Sequence, residues 1–380
     1  MNRMPNKRIL FIMHSMPIGG AEKVLCDILD KFDYEQYDIS LLLYEKSGEL
    51  LADVNNKVKL LWIKQPSNRT LYSRIIARIY RYLSIDIYLN KRKINAICES
   101  KYDSIISFCQ GTAHWIHTYL LNRSDNNISW IHSDLSVYNW GIAYFNNDIK
   151  RQECAYNQMN KLVFVSNDSC IAFNKVFKIN KTIEQHVVYN FVNKNRIREL
   201  SKQENIAKHE FVFCNIGRLI VAKRQDRLIA AAHILKEEGF RFCIWIIGTG
   251  PLENILNSLI DDYKLHDCVQ LIGSKKNPYP YLLNSDCFIL TSQQEGFSIV
   301  IGEAFALGKP VISTKTSGPC ELIGNNEYGV LVEQDVDAIA NAMRRIIVDT
   351  DYRNYLSEQS LKRSSHFLAD RIMSSIFHIL

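Results

Sequence analysis

Phe211-Val212-Phe213-Cys214-Asn215-Ile216-Gly217 reads as a single buried strand, an aromatic and aliphatic run closed by a glycine. Its place in the chain makes it decisive. Just upstream, residues 193–210 are polar and charged with no strand periodicity, and beyond Gly217 the alternation of short apolar runs with longer amphipathic stretches starts again. Strands are expected near 242–247, 268–272, 286–290, 310–313 and 329–332. Before the break the same alternation places strands near 8–13, 38–44, 58–63, 103–108, 128–132, 161–165 and 185–189. Strands separated by helices make βαβ units and parallel sheets, so the fold class is α/β: two doubly wound parallel-sheet domains in tandem, divided near 190–210. Ligands of such sheets bind outside the carboxyl ends of the strands.

Composition excludes several classes of protein. The 380 residues are 47% hydrophobic and 23% charged, ordinary values for a globular chain. Apolar runs such as Phe242–Ile247 fall short of the roughly 18–20 residues that span a bilayer. Arg3, Lys7 and Arg8 precede an apolar run, but His14 and Gly19-Gly20-Ala21-Glu22 follow it, which reads as a first strand and not as a signal peptide. The ten cysteines are scattered without a C-x-x-C pair, which fits a reducing cytoplasm. Residues 1–190 hold 24 Lys and Arg against 18 Asp and Glu, whereas residues 191–380 hold 22 of each. Much of that excess lies in 69–93, where Arg69, Arg74, Arg78 and Arg81 recur at helical spacing among Tyr and Ile. That pattern suits either a solvated helix face or a helix resting on anionic lipid.

Glu295-Gly296-Phe297-Ser298-Ile299 joins an expected strand to an Ala- and Leu-rich helix, and Glu303 lies inside that helix. A helix N-terminus with free N–H groups attracts phosphate, and Phe297, Ser298 and Ile299 would supply the amides. A carboxylate there would repel phosphate, so Glu295 is better placed to accept from hydroxyl groups, and Glu303 from a ribose. Both are equally ordinary as solvated glutamates at a helix start. Arg218 and Lys223, just past a strand end, suit a diphosphate or a plain surface turn. Gly19-Gly20 opens the first helix as a ligand-approach loop or a tight turn. Gly248-Thr249-Gly250-Pro251 lacks the third glycine of a dinucleotide fingerprint, because position 253 is Glu. His114 and His117 have no third ligand nearby, and Asp335 reads as a helix cap, so no metal is expected.

Glu295 and Glu303 at E-x7-E spacing, Gly217-Arg218-Leu219 with Lys223, Gly248-x-Gly250-Pro251, and Ser317-Gly318-Pro319-Cys320-Glu321 together resemble glycosyltransferase family 4, retaining enzymes that use nucleotide sugars. The resemblance implies the GT-B fold, two Rossmann-like domains facing across a cleft: an acceptor-binding domain over 1–192, a donor-binding domain over 193–365, and a C-terminal helix, 366–380, crossing back. It implies that Arg218 and Lys223 hold the donor diphosphate with the amides after Gly296, that Glu303 holds the ribose and Glu295 the transferred sugar, and that a uracil-like base lies against 272–278. Gly19-Gly20 corresponds to the family's glycine loop and His132 to the histidine touching the sugar; taken alone, His132 is an ordinary structural residue. Two positions depart from the family: Arg224 replaces the glycine after the lysine, and Phe191 follows Asn190 in place of another.

The implied function is transfer of a hexose or N-acetylhexosamine from a UDP-type sugar to a glycan or lipid-linked glycan acceptor, for capsule, O-antigen or lipopolysaccharide. It would run without metal or other cofactor and without nucleic acid, in the cytoplasm or at the cytoplasmic face of the membrane. A nucleotide-sugar 2-epimerase of the same fold and a non-catalytic sugar-nucleotide-binding protein are the alternatives.

Overall fold

The computed structural model describes residues 6–65, 85–98, 100–137, 139–208 and 210–380. The chain divides into two compact units, Met1–Val188 with Met373–Leu380, and Tyr189–Ile372. The first carries β1 (Lys7–Met13), β2 (Tyr37–Glu45), β3 (Lys59–Lys64), β4 (Ser104–Ser107), β5 (Asn127–Ile131), β6 (Lys161–Phe164) and β7 (Glu184–Val187) in the order β3-β2-β1-β4-β5-β6-β7. The second carries β8 (Val212–Ile216), β9 (Cys243–Ile247), β10 (Val269–Gly273), β11 (Cys287–Leu290), β12 (Val311–Thr314) and β13 (Val330–Val332) in the order β10-β9-β8-β11-β12-β13. Every neighbouring pair is parallel. All thirteen strands fall where the apolar runs place them, which is the two-unit α/β architecture of the GT-B class.

The strands are continuous apolar runs because helices cover both faces of each sheet. Ile9 to Met13 are all buried, as are Phe213, Ile244, Ile246, Ile289 and Ile312 of the second unit, which pack against Leu228, Leu235 and Met343 from its helices. The stretch 193–210, read as strandless, contains the helix Lys194–Ser201, capped by the Asn193 side chain. Tyr189–Val192 belong to the second unit, where Val192 N–H donates to the Phe367 carbonyl at 3.0 Å.

The last residues close the base of the first sheet. Phe377 stacks on Tyr37 at 5.7 Å, the Leu380 carbonyl accepts from Ser104 Oγ at 2.9 Å, and the Ile379 carbonyl accepts from Lys161 Nζ at 2.8 Å. Tyr37, Ser104 and Lys161 all stand at the amino ends of their strands, so this docking lies opposite the end where a ligand would sit. Of the basic segment 69–93, residues 69–84 lie outside the described residues, and Ile85–Ile97 is helical. No helix among the described residues is long and apolar enough to cross a membrane.

Candidate functional site

Strand order reverses between β8 and β11 in the second unit, and there the chain diverges to either side. The ladder joining the two strands ends at Cys214 with Phe288; one residue on, the buried Asn215 reaches across with its Nδ2 to the Ile289 carbonyl at 2.8 Å. A crevice opens beyond. The loop after β8 carries Arg218 and Lys223, and the loop after β11 carries Glu295 to Ile299.

Backbone contacts fix the first loop tightly. Gly217 and Leu219 N–H groups donate to the carbonyls of Ile247 and Thr249 at 2.9 and 3.0 Å, and the Gln225 side chain donates to the Arg218 carbonyl at 3.1 Å. This close approach explains Gly248-x-Gly250. A Cβ on Gly248 would lie 2.0 Å from the Gly217 carbonyl oxygen, and one on Gly250 would lie 2.3 Å from that of Leu219. The two glycines therefore press one loop onto another, a role unlike that of a dinucleotide fingerprint. The two loops are also sewn together: Gln293 N–H donates to the Ala222 carbonyl at 2.8 Å and Thr291 Oγ1 to the Arg224 carbonyl at 2.9 Å. Arg224 adopts φ +50°, the left-handed conformation that a glycine takes at no cost, and its guanidinium grips Asp226 at 2.8 Å. At this departure from the family pattern an arginine therefore holds a left-handed position.

Lys223 and Glu295, 72 residues apart, form an ion pair with Nζ to Oε1 of 2.5 Å, both side chains largely covered. Ser292, fully buried, donates from Oγ to the same carboxylate oxygen at 2.6 Å. Lys223 thereby neutralises the carboxylate that would otherwise repel an anion in this crevice. Arg218 is exposed, with no side-chain partner among the described residues. The helix Ile299–Ala306 begins after Ser298, whose backbone is extended and whose side chain caps nothing, so the first amides of the helix remain as donors. Gly318 permits this turn to pack, since its Cβ would come within 2.6 Å of the Gly296 carbonyl oxygen. Glu303 lies on the same helix, 3% exposed, and accepts from Tyr279 Oη at 2.9 Å. Tyr279 directly follows 272–278, so that segment and Glu303 adjoin.

Arg218, Lys223, Glu295, Gly296, Phe297, Ser298, Ile299 and Glu303 therefore converge within one unit. Ser292, Tyr279, Asn215 and Gln225 join them and were not singled out from the sequence. Ser292 had a weak signal, lying three residues before Glu295 in the same loop; Tyr279, 24 residues before Glu303, had none.

Gly19, Gly20 and His132 belong to the first unit. Gly19 is extended ahead of the helix Gly20–Leu29, and the carboxylate of Glu22 fills the space a side chain there would take, 2.3 Å from an added Cβ. His132 follows β5, its N–H donating to Gln110 Oε1 at 3.1 Å and its ring packed 4.8 Å from Phe108. Burial lowers its pKa to about 3, so the ring is neutral. His114 and His117 are core residues. His117 bonds Ser107 Oγ and Asn127 Oδ1 at 3.1 and 3.0 Å, while His114 bonds Ser129 Oγ at 3.0 Å and stacks on Tyr156. Asp335 caps the helix Val336–Val348 by accepting from Ala338 N–H.

Residues 196–363 match the family Glycosyl transferases group 1. The chain is similar to an uncharacterized glycosyltransferase of Methanocaldococcus jannaschii, with 27% identity across 91% of this chain and 93% of the relative. It is 30% identical to the N-acetylgalactosamine-N,N'-diacetylbacillosaminyl-diphospho-undecaprenol 4-alpha-N-acetylgalactosaminyltransferase of Campylobacter jejuni, over 48% of this chain and 49% of that protein. Among solved structures, Anabaena HepE in complex with UDP and glucose superposes with a TM-score of 0.77 at 20% identity, covering 98% of this chain and 99% of that one.

Proposed function

We propose that this chain is a retaining glycosyltransferase that moves a hexose or N-acetylhexosamine from a nucleotide sugar, with UDP as the carrier, to a glycan or lipid-linked glycan acceptor in cell-surface polysaccharide synthesis. The observation that carries the reading is the meeting, at the β8/β11 crevice, of Arg218 and Lys223, the amides opening Ile299–Ala306, and two covered glutamates. UDP in the Anabaena neighbour and the lipid-diphosphate acceptor in the name of the Campylobacter relative support the choice of substrates.

As the bond from anomeric carbon to phosphate stretches, negative charge grows on the diphosphate. Arg218, Lys223 and the amides of Phe297, Ser298 and Ile299 stabilise it more in the transition state than before, which lowers the barrier. These cations and amides carry the developing charge, so the reading calls for no metal. Glu295, oriented by Ser292 and Lys223, accepts from hydroxyls of the sugar, while Glu303, oriented by Tyr279, accepts from the ribose. His132 and the Gly19-Gly20 loop act from the first unit on the sugar and acceptor. The departing phosphate itself helps deprotonate the acceptor, which then attacks from the same face. The basic segment 69–93 would hold the enzyme against anionic lipid; unaltered liposome binding on replacing Arg74 and Arg78 by Glu would remove that part.

The test uses calorimetric UDP affinity beside steady-state transfer. Glu303→Gln should weaken UDP binding, because the ribose is common to donor and product. Glu295→Gln should leave UDP affinity nearly intact and lower turnover. If neither substitution changes affinity or rate, the donor assignment fails. UDP release that needs no acceptor would favour the 2-epimerase reading.

A further inference from the structure

Tyr189, the first residue of the second unit, reaches the turn Glu295–Ile299 without belonging to either crevice loop. Its ring packs on two others, 6.1 Å from the centroid of Phe297 and 6.1 Å from that of Phe367, and those two rings meet edge to face at 5.8 Å. Phe297 is the middle residue of the turn, so this triangle of rings bears on the turn directly. Phe297 and Phe367 are buried and Tyr189 is half-buried. The Tyr189 hydroxyl donates to the Glu321 carboxylate, 132 residues further along the chain. Three residues after Tyr189, the same entering segment meets the helix that follows the turn: a Cβ on Gly302 would lie 2.6 Å from Val192 Cγ2.

Glu321 ties that hydroxyl to a second support of the same turn. It belongs to the helix Ser317–Ile323, whose Gly318 N–H donates to the Glu295 carbonyl at 3.3 Å, and a Cβ on Gly318 would lie 2.8 Å from Phe297 Cα. Arg363 holds the far end of this helix. Its Nε and Nη2 donate to the Leu322 and Glu321 carbonyls at 2.9 and 2.8 Å, and its guanidinium lies 5.3 Å from the Phe367 centroid. The contacts therefore close on themselves, from the turn through Gly318 and Glu321 to Tyr189 and back to Phe297. A tyrosine ring supplies apolar contact and carries a hydroxyl at its tip, so one residue serves both the ring triangle and the helix. The amides of Phe297, Ser298 and Ile299 leave this turn, and donors aimed at a ligand must be held to within about 0.5 Å by the groups around them.

We propose that Tyr189 and Glu321 are positioning residues for phosphate binding: their hydrogen bond clamps the turn Gly296–Ser298, through Phe297 and Gly318, in the shape that lets its amides hold a diphosphate. This rests on the donor reading above and adds to it the pair that fixes the turn.

The experiment compares the calorimetric affinities of the full chain for UDP and for uridine. Uridine carries the base and the ribose but no phosphate, so the ratio of the two affinities isolates the phosphate contacts. Tyr189→Phe keeps the ring triangle and removes only the hydroxyl; it should lower that ratio about fivefold or more with uridine affinity unchanged, and Glu321→Ala should do the same. Glu321→Gln retains an oxygen that accepts from Tyr189 and should keep most of the wild-type ratio. Because both single changes break one bond, Tyr189→Phe/Glu321→Ala should lose no more than the worse of the two. A wild-type ratio in Tyr189→Phe, an equal loss of UDP and uridine affinity, a Glu321→Gln ratio as low as that of Glu321→Ala, or additive losses in the double variant overturns the proposal. Failure of the donor reading would appear separately, as wild-type protein that binds UDP no more tightly than uridine.

Discussion

Gly248→Ala should both destabilise the second unit and disable its crevice, and two other glycines separate the causes. Gly239 has φ +85° and nothing within 4 Å of an added Cβ, so Gly239→Ala carries only the left-handed penalty of about 1 kcal/mol. At Gly250 the left-handed term is absent, but the new atom would lie 2.3 Å from the Leu219 carbonyl oxygen and 2.8 Å from the Leu219 nitrogen. Backbone cannot rotate away as a side-chain tip does, so overpacking of about 1–3 kcal/mol follows. Gly248 combines φ +149°, a region open essentially to glycine, with a contact of 2.0 Å to the Gly217 carbonyl oxygen. Its replacement should cost about 3 kcal/mol or more. The push falls on Gly217 to Leu219 and hence on Arg218. Urea unfolding ranks the three variants, and calorimetry with UDP reads the site: affinity should fall about tenfold for Gly248→Ala and stay unchanged for Gly239→Ala. If Gly248→Ala and Gly250→Ala unfold no earlier than Gly239→Ala, the close approach of these loops is not what the glycines serve.

Ser292→Ala removes a charge-assisted bond of 2.6 Å to Glu295 and should lower turnover about tenfold with UDP affinity retained; a loss of UDP affinity equal to the loss of rate would show that Ser292 does not act through the sugar. At Arg224, held at φ +50°, glycine should be tolerated to within about 1 kcal/mol, since relief of strain offsets the lost Asp226 pair, while valine should cost about 2 kcal/mol. Equal urea midpoints for the two variants would contradict the strained-turn account. Burial lowers the pKa of His114 to about 3 and of His117 to about 4, from 6.5, so the folded state takes up fewer protons than the unfolded state below neutrality. Stability should therefore be complete above about pH 6.5 and decline as pH falls towards 4, by about 3 kcal/mol for His117 alone. Flat urea midpoints between pH 7 and 4.5 would show that these rings accept protons without penalty.

The architecture was legible because strands of a covered parallel sheet announce themselves locally. Ile9 to Met13 or Phe213 to Ile216 need no distant partner to be read as apolar runs, and the polar interval after Val192 marks the restart. The candidate residues Arg218, Lys223 and Glu295 were legible for a related reason: they follow strand ends, and a sheet that reverses its order gathers such loops at one place. What the sequence left open was which groups satisfy one another. That Lys223 neutralises Glu295 and that Gly248 and Gly250 exist for a backbone contact depend on loops from different strands coming within about 3 Å, that Tyr279 orients Glu303 depends on the meeting of two helices, and that Ser292 orients Glu295 depends on how their shared loop folds. His114 and His117 make the same point, because the spacing that admits a metal pair also admits two core histidines, and only Ser107, Asn127 and Ser129 arriving from β4 and β5 decide between them. Periodicity is a property of neighbours in the chain, whereas hydrogen-bond satisfaction and desolvation are properties of neighbours in space.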